Sequence, residues 1–249
     1  MKLISDICYA KKENENLLLD IYLPDMDSFP VFIYFHGGGI ESGDKKGANI
    51  MANDLAKKGI CVISANYRMY PGAKYPDFLE DCAEAVKWTY DNIGSYGNAE
   101  KIFVGGSSAG GYISQMLCFD ERYLSKHGIA PTDIDGFIHD AGQPTVHFNV
   151  LRERGIDNRR VIIDEAAPIY YVGRNVDYPP MLIIVSDDDM QNRYEQTLLL
   201  ISTLKHFGHD FPKVELKVMN GKHCRYVRAL LDNGDSAFAK IIQEFIIRV

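Results

Sequence analysis

Two glycine-rich clusters carry residues that could perform acyl chemistry together. Gly105-Gly106-Ser107-Ser108-Ala109-Gly110-Gly111 follows a short apolar run at 102–104, and Gly106, Ser108 and Gly110 fill a GxSxG pattern. A serine held on a sharp strand-to-helix turn crowds its neighbours, so small residues must flank it on both sides. Ser107 does not meet that need, because its second glycine position is Ala109. The segment 112–119 can run on as a helix whose N-terminal dipole faces Ser108. Upstream, His36-Gly37-Gly38-Gly39 closes another apolar run at 31–35. Bare glycines leave backbone N–H groups free to face a developing negative oxygen, and losing one such donor lowers kcat by about 10²–10³. Gly37, Gly38 and Ala109 are the expected donors of such an oxyanion hole.

Serine is a weak nucleophile at its own pKa and needs a histidine base oriented by a carboxylate. The chain has seven histidines. His206 and His209 flank Phe207-Gly208, where a helix should end, and read as a helix terminus. A metal site made of His206, His209 and Cys224 would need a coincidence of folding, so no metal is expected. His36 belongs to the glycine loop. Asp187, Asp188 and Asp189 stand in a row after the apolar run 181–185. A loop can turn any of three adjacent carboxylates inward, and the other two can cap a helix beginning near Gln191. Spacing alone leaves all three open.

The elements that must position these residues alternate along the chain. Short β-rich runs occur at 4–10, 17–23, 31–35, 60–65, 102–104, 134–138, 181–185 and 214–218, each bounded by turn or charged residues. Between most of them lie helical patterns: Leu79, Ala83, Val86, Tyr90 and Ile93 form one apolar stripe, and Tyr194, Leu198, Ile201 and Leu204 another. Strand–helix–strand connections favour a mostly parallel sheet covered on both faces. No repeat or linker divides the chain, so one α/β domain over 1–249 is expected. With 46% hydrophobic residues in 249 it can bury a sizeable core. Twenty-seven Lys and Arg against 34 Asp and Glu repel polyphosphate, which argues against nucleic acid as a partner. No run approaches a membrane span. Five cysteines without a CxxC pair suit a reducing compartment, and a cytoplasmic location is expected.

Taken together, HGGG, GGSSAGG, a late acid and a late histidine resemble the α/β-hydrolase superfamily, and within it the hormone-sensitive-lipase-like and bacterial acetyl-esterase carboxylesterases. Ala65-Asn66-Tyr67-Arg68, Tyr75-Pro76-Asp77 and Leu79-Glu80-Asp81 resemble that branch's DYRL and FP…D stretches, and Pro179-Pro180-Met181-Leu182-Ile183-Ile184 its PPxLIxxG strand. The resemblance covers nearly the whole chain. It implies an α/β-hydrolase fold with a mostly parallel eight-stranded central sheet, helices on both faces and a minimal cap. In the superfamily's order of serine, acid, histidine, the base follows the last strand, which selects His223 in the turn 220–223. The branch's GxxD turn aligns Ser186 with the glycine and Asp189 with the acid. Ser108, His223 and Asp189 are then expected as nucleophile, base and acid.

The chain departs from the pattern at Ser186, and at Ile40, where many relatives carry an aromatic. Few residues precede HGGG, so an N-terminal helical cap is expected to be missing or very small. A lid, if there is one, is 145–163, where Arg152, Arg154, Arg159 and Arg160 outnumber Glu153 and Asp157 and could meet a substrate carrying a carboxylate. Phe148, Tyr170 and Tyr171 are candidates for an acyl pocket. Arg68 and Asp81 are expected to pair. The expected activity is hydrolysis of short acyl esters, acylated sugars among them, with a small-molecule ester as partner and no cofactor. A peptidase, lactonase or formamidase on the same residues is the first alternative; a binding protein that keeps the fold without turnover is the second.

Overall fold

Along β3 (Ser28–Phe35), Val31, Ile33 and Phe35 alternate with Phe32 and Tyr34, and all five are buried. Successive strand side chains point to opposite faces, so a strand apolar at both parities must be covered on both. The computed structural model, which describes residues 1–13, 15–175 and 177–249, shows that arrangement. Val31, Ile33 and Phe35 join one core with Val104, Ile113 and Leu117, while Phe32 and Tyr34 join a second with Leu55, Phe103 and Phe245.

The strands are β1 (Lys2–Lys11), β2 (Asn16–Leu23), β3, β4 (Cys61–Ala65), β5 (Asn98–Ser107), β6 (Gly136–Asp140), β7 (Met181–Asp188) and β8 (Val214–Lys222). They form one eight-stranded sheet in the order β1-β2-β4-β3-β5-β6-β7-β8. Only β2 runs against the others. The helices are α1 (Asn49–Lys57), α2 (Asp77–Asn92), α3 (Ala109–Phe119), α4 (Arg122–Ser125), α5 (Phe148–Glu153), α6 (Arg193–His206) and α7 (Ala237–Arg248). α1 and α7 cover one face of the sheet; α2, α3 and α6 cover the other. This is the α/β-hydrolase fold. Among the described residues no helix is long and apolar enough to cross a membrane.

Three expectations need correction. The strand read at 134–138 begins at Gly136, because Pro131–Asp133 form a 3₁₀ turn and the Asp135 carboxylate accepts the Ile102 N–H at 2.7 Å before pairing starts. On α6 the buried face runs through Thr197, Leu200, Ile201 and Leu204, and Leu198 faces solvent. The strands at the end of the chain outlast their apolar runs: β7 and β8 still pair at Asp188 and Lys222, since a backbone ladder is indifferent to side-chain polarity. His223 therefore follows β8 directly instead of ending a four-residue turn. The expected Arg68–Asp81 pair forms, with Nε and Nη2 each 2.8 Å from a carboxylate oxygen that is fully buried.

Because β3, β5, β7 and β8 are parallel, the residues that follow them emerge at one edge of the sheet. Those residues are the glycine loop, Ser108, Asp189 and His223.

Candidate active site

Ser108 sits between β5 and α3 at φ 57°, ψ −111°, a conformation that non-glycine residues avoid. It is held there by backbone: its N–H donates to Asp140 O at 2.8 Å, and its carbonyl accepts the Tyr112 N–H at 3.0 Å. The turn is tight enough that a Cβ on Gly110 would lie 1.9 Å from Phe35 O. On the facing loop a Cβ on Gly37 would come within 3.1 Å of Ser108 Cβ and 2.9 Å of Ser107 O. Glycine at both positions is a steric requirement of the elbow. Among the described residues the N–H groups of Gly37 and Gly38 have no backbone partner. Ala109 opens α3, so its N–H has no carbonyl one turn back. His36 anchors this loop, donating Nδ1–H to Gly37 O at 2.7 Å under the stacked ring of Tyr67.

His223 reaches across from the end of β8. Its Nε2 lies 2.8 Å from Ser108 Oγ and its Nδ1 2.5 Å from Asp189 Oδ1. A carboxylate only accepts, so Nδ1 carries the proton, and Nε2 is left to accept the serine O–H. The Asp189 carboxylate is fully buried. Burial raises its pKa, but the hydrogen bond and charge of His223, followed by the Met190 and Ser186 N–H groups, outweigh that and hold it below its ordinary value.

The three aspartates serve three purposes. Asp187 accepts the Gly221 N–H at 2.8 Å and Asn220 Nδ2 at 3.0 Å, tying the end of β8 to β7. Asp188 points to solvent and pairs with Lys222 Nζ at 2.6 Å. Asp189 alone faces the histidine. Ser186, the departure from the glycine of the resembled motif, donates its Oγ–H to Lys222 O at 3.1 Å and its N–H to Asp189 Oδ2 at 3.2 Å. It thus links the acid to the residue just before His223.

Behind the chain lies a group that residue patterns did not reveal. Asp140, fully buried at the end of β6, accepts the Tyr226 O–H and has Cys224 Sγ 4.0 Å from Oδ2. Its pKa is pushed up to about 6, chiefly by burial. Asp140 and Tyr226 are brought together only by the sheet. Two further histidines are structural: His139 is buried with Ser114 Oγ 2.9 Å from Nδ1 and is pushed down to about 3 by burial. His147 caps α5 through Nδ1, which accepts the Asn149 N–H at 3.2 Å. His206 and His209 lie at the end of α6, and among the described residues no three His, Cys, Asp or Glu side chains gather as a metal site.

Ser108 and His223 open into a cavity of about 840 Å³ whose wall includes Phe148 and Met190. Tyr170 and Tyr171 are not part of it; they pack against Arg174, and Tyr171 O–H donates to Glu165 O. Neighbouring aromatics in sequence had read alike, and the chain path separated them. The stretch 145–163 lies against the glycine loop through Asn149 Nδ2, which donates to Gly39 O at 2.9 Å, and through the Arg152–Glu41 ion pair.

A profile of the family described as BD-FAE matches residues 19–129. An AB hydrolase superfamily protein of Schizosaccharomyces pombe is 38% identical over 91 residues, covering 36% of this chain and 27% of that protein. The probable carboxylic ester hydrolase LipM of Mycobacterium tuberculosis is 26% identical over 208 residues, 74% of this chain and 47% of that protein. The chain thus spans less than half of either relative. Among solved structures, the apo form of Thermogutta terrifontis esterase 2 superimposes with a TM-score of 0.80 at 23% identity, covering 98% of this chain and 93% of that one. Element order, strand topology and this superposition show the α/β-hydrolase fold.

Proposed function

We propose that the protein is a serine carboxylesterase acting on short acyl esters. The observation that carries this reading is the hydrogen-bonded chain Ser108 Oγ, His223, Asp189, with the free N–H groups of the glycine loop beside the serine. His223 Nε2 takes the serine proton as Oγ attacks the ester carbonyl, and Asp189 stabilises the imidazolium that forms. The N–H groups of Gly37, Gly38 and Ala109 receive the negative oxygen of the tetrahedral intermediate. The leaving alcohol departs with the proton from His223, and a water activated by the same nitrogen then hydrolyses the acyl-serine. No step calls on a metal or an organic cofactor. The partner is a small-molecule ester, and the five cysteines, all free thiols, suit a cytoplasmic setting.

Short acyl groups are favoured by the likeness to Thermogutta terrifontis esterase 2, whose structures include propionate-bound and butyrate-bound forms and one phosphorylated by paraoxon. Acylated sugars are the natural esters we favour within that class. The test is kcat/KM on p-nitrophenyl acetate, butyrate and octanoate and on an amino-acid anilide, with Ser108→Ala in parallel. Activity on acetate that falls with chain length, and a loss of about 10⁶ in kcat in the variant, are expected. Turnover of the anilide alone would replace the esterase with a peptidase. No turnover and no labelling of Ser108 by an organophosphonate would favour a binding protein.

A further inference from the structure

A second cavity of about 450 Å³ adjoins the one that holds Ser108, and Phe148 and Met190 belong to the walls of both. Arg152, Arg159, Arg160 and Arg193 line it, together with Gln143 and Gln196, and among the described residues no aspartate or glutamate does. We propose that this cavity binds a carboxylate carried by the ester substrate. The inference rests on the reading of Ser108 as an esterase nucleophile and adds to it the charge of the substrate.

The four guanidinium groups are not equivalent. Arg152 is paired with Glu41 and Arg159 with Asp157, so each brings its own counter-charge. Arg160 and Arg193 have no carboxylate within 4 Å among the described residues. Arg193 is only 4% exposed, and its guanidinium donates to two neutral acceptors, Ala141 O and Gln143 Oε1. A buried cation with no carboxylate in contact is unfavourable, and a carboxylate entering beside it relieves that cost while accepting two parallel N–H bonds from a guanidinium fork. Asp189 acts on Arg193 only through space, partly offsetting the effect of burial, because its oxygens are bonded to His223 and to the Ser186 and Met190 N–H groups. The positive field is felt by His147, which is kept neutral first by burial and then by the charges of Arg193 and Arg152. Gln143 holds the arrangement together: its Oε1 accepts from Arg193 and from the Phe148 N–H, and its Nε2 donates to Val146 O at 2.8 Å.

The carboxylate can sit on the alcohol side, as in an esterified sugar acid or hydroxy acid, or on the acyl side, as in a half-ester of a dicarboxylic acid. The experiment compares matched pairs. One pair is 4-acetoxybenzoate against its methyl ester; the other is 4-nitrophenyl hemiglutarate against 4-nitrophenyl butyrate. The readout is the ratio of kcat/KM, acid over neutral, corrected for the alkaline hydrolysis rate of each ester. In one pair the ratio for the unmodified protein should exceed one and fall with added salt, and that pair names the side. Arg160→Ala should lower the ratio by about tenfold and Arg160→Glu further. Arg154→Ala, whose arginine is paired with Asp164 outside this cavity, should move it less than twofold. Ratios below one in both pairs, or a ratio that Arg160→Glu leaves in place, overturn the subsite while the esterase stands. Neutral esters that show no Ser108-dependent turnover overturn the esterase reading and this inference with it.

Discussion

The two ends of the Ser108–His223–Asp189 chain are built by different means. At the serine end the backbone does the positioning: a strained φ, two hydrogen bonds to main-chain atoms, and glycines whose replacement would place a Cβ inside a neighbouring carbonyl. At the acid end side chains do it. Asp187, Ser186 and Asp189 each reach a different part of the β7–β8 edge, and His223 follows a strand whose outer residues alternate between half-buried and exposed. The contrast teaches where each end is vulnerable. The elbow should fail by losing its fold, and the acid end by losing alignment with the fold intact.

Among substitutions that test this contrast, the largest effect is at the acid end. Asp189→Asn should lower kcat by about 10⁴ with the far-UV spectrum unchanged, because the amide reverses the donor and acceptor roles that set the histidine tautomer. Equal losses from Asp188→Asn would break the assignment of one acid among three. Next comes the elbow: Gly110→Ala should lose more than about 3 kcal/mol of stability in a urea titration, since the new Cβ has backbone on every side that matters and cannot relax past it. A variant that kept both stability and turnover would show the turn to be softer than its geometry states.

Asp140, buried between the two ends, gives a pH-dependent test. Its folded pKa of about 6 lies above the ordinary aspartate value of 3.8, so between those pH values the native state holds a proton that the unfolded chain has released. Stability from this group is present at low pH and lost as pH rises through 6, by up to about 3 kcal/mol. Urea midpoints measured from pH 4 to 7 should therefore lose this downward contribution in Asp140→Asn. Parallel curves for the two proteins would exclude it.

A smaller effect is expected at Ser186. Ser186→Ala removes the bond to Lys222 O and should lower kcat about five- to tenfold with KM little changed, while Ser186→Thr should restore part of the loss. The smallest is Asp188→Asn, for which kcat should stay within about twofold, because the carboxylate and its Lys222 partner are both exposed.

Legibility followed the same division. Elbow and glycine loop could be read from short motifs because the steric demands on Gly37, Gly106 and Gly110 are met by residues close along the chain or on the adjacent strand. The sheet could be read because its strands are apolar at both parities. The ends of β7 and β8 were read short, since their last residues are polar while their ladder continues to Asp188 and Lys222. Tyr170 and Tyr171 were grouped with Phe148 as aromatics, yet only Phe148 lies on the wall shared by the two cavities. The arginines of 145–163 were read as one positive group, and their partners Glu41 and Asp164, outside that stretch, divide them into paired and unpaired members.

What the amino-acid sequence by itself determined is the layered α/β architecture, the elbow serine and the late histidine that the resemblance selects. Those depend on side-chain size, on period-two patterning and on the order of elements along the chain. Only the tertiary structure decided which of three adjacent aspartates meets His223, that Asp140 and Tyr226 lie behind them, and which arginines are left without a carboxylate. Those outcomes join residues 34, 86 and 111 positions apart, and they follow from strand register and loop path, which no local run of residues encodes.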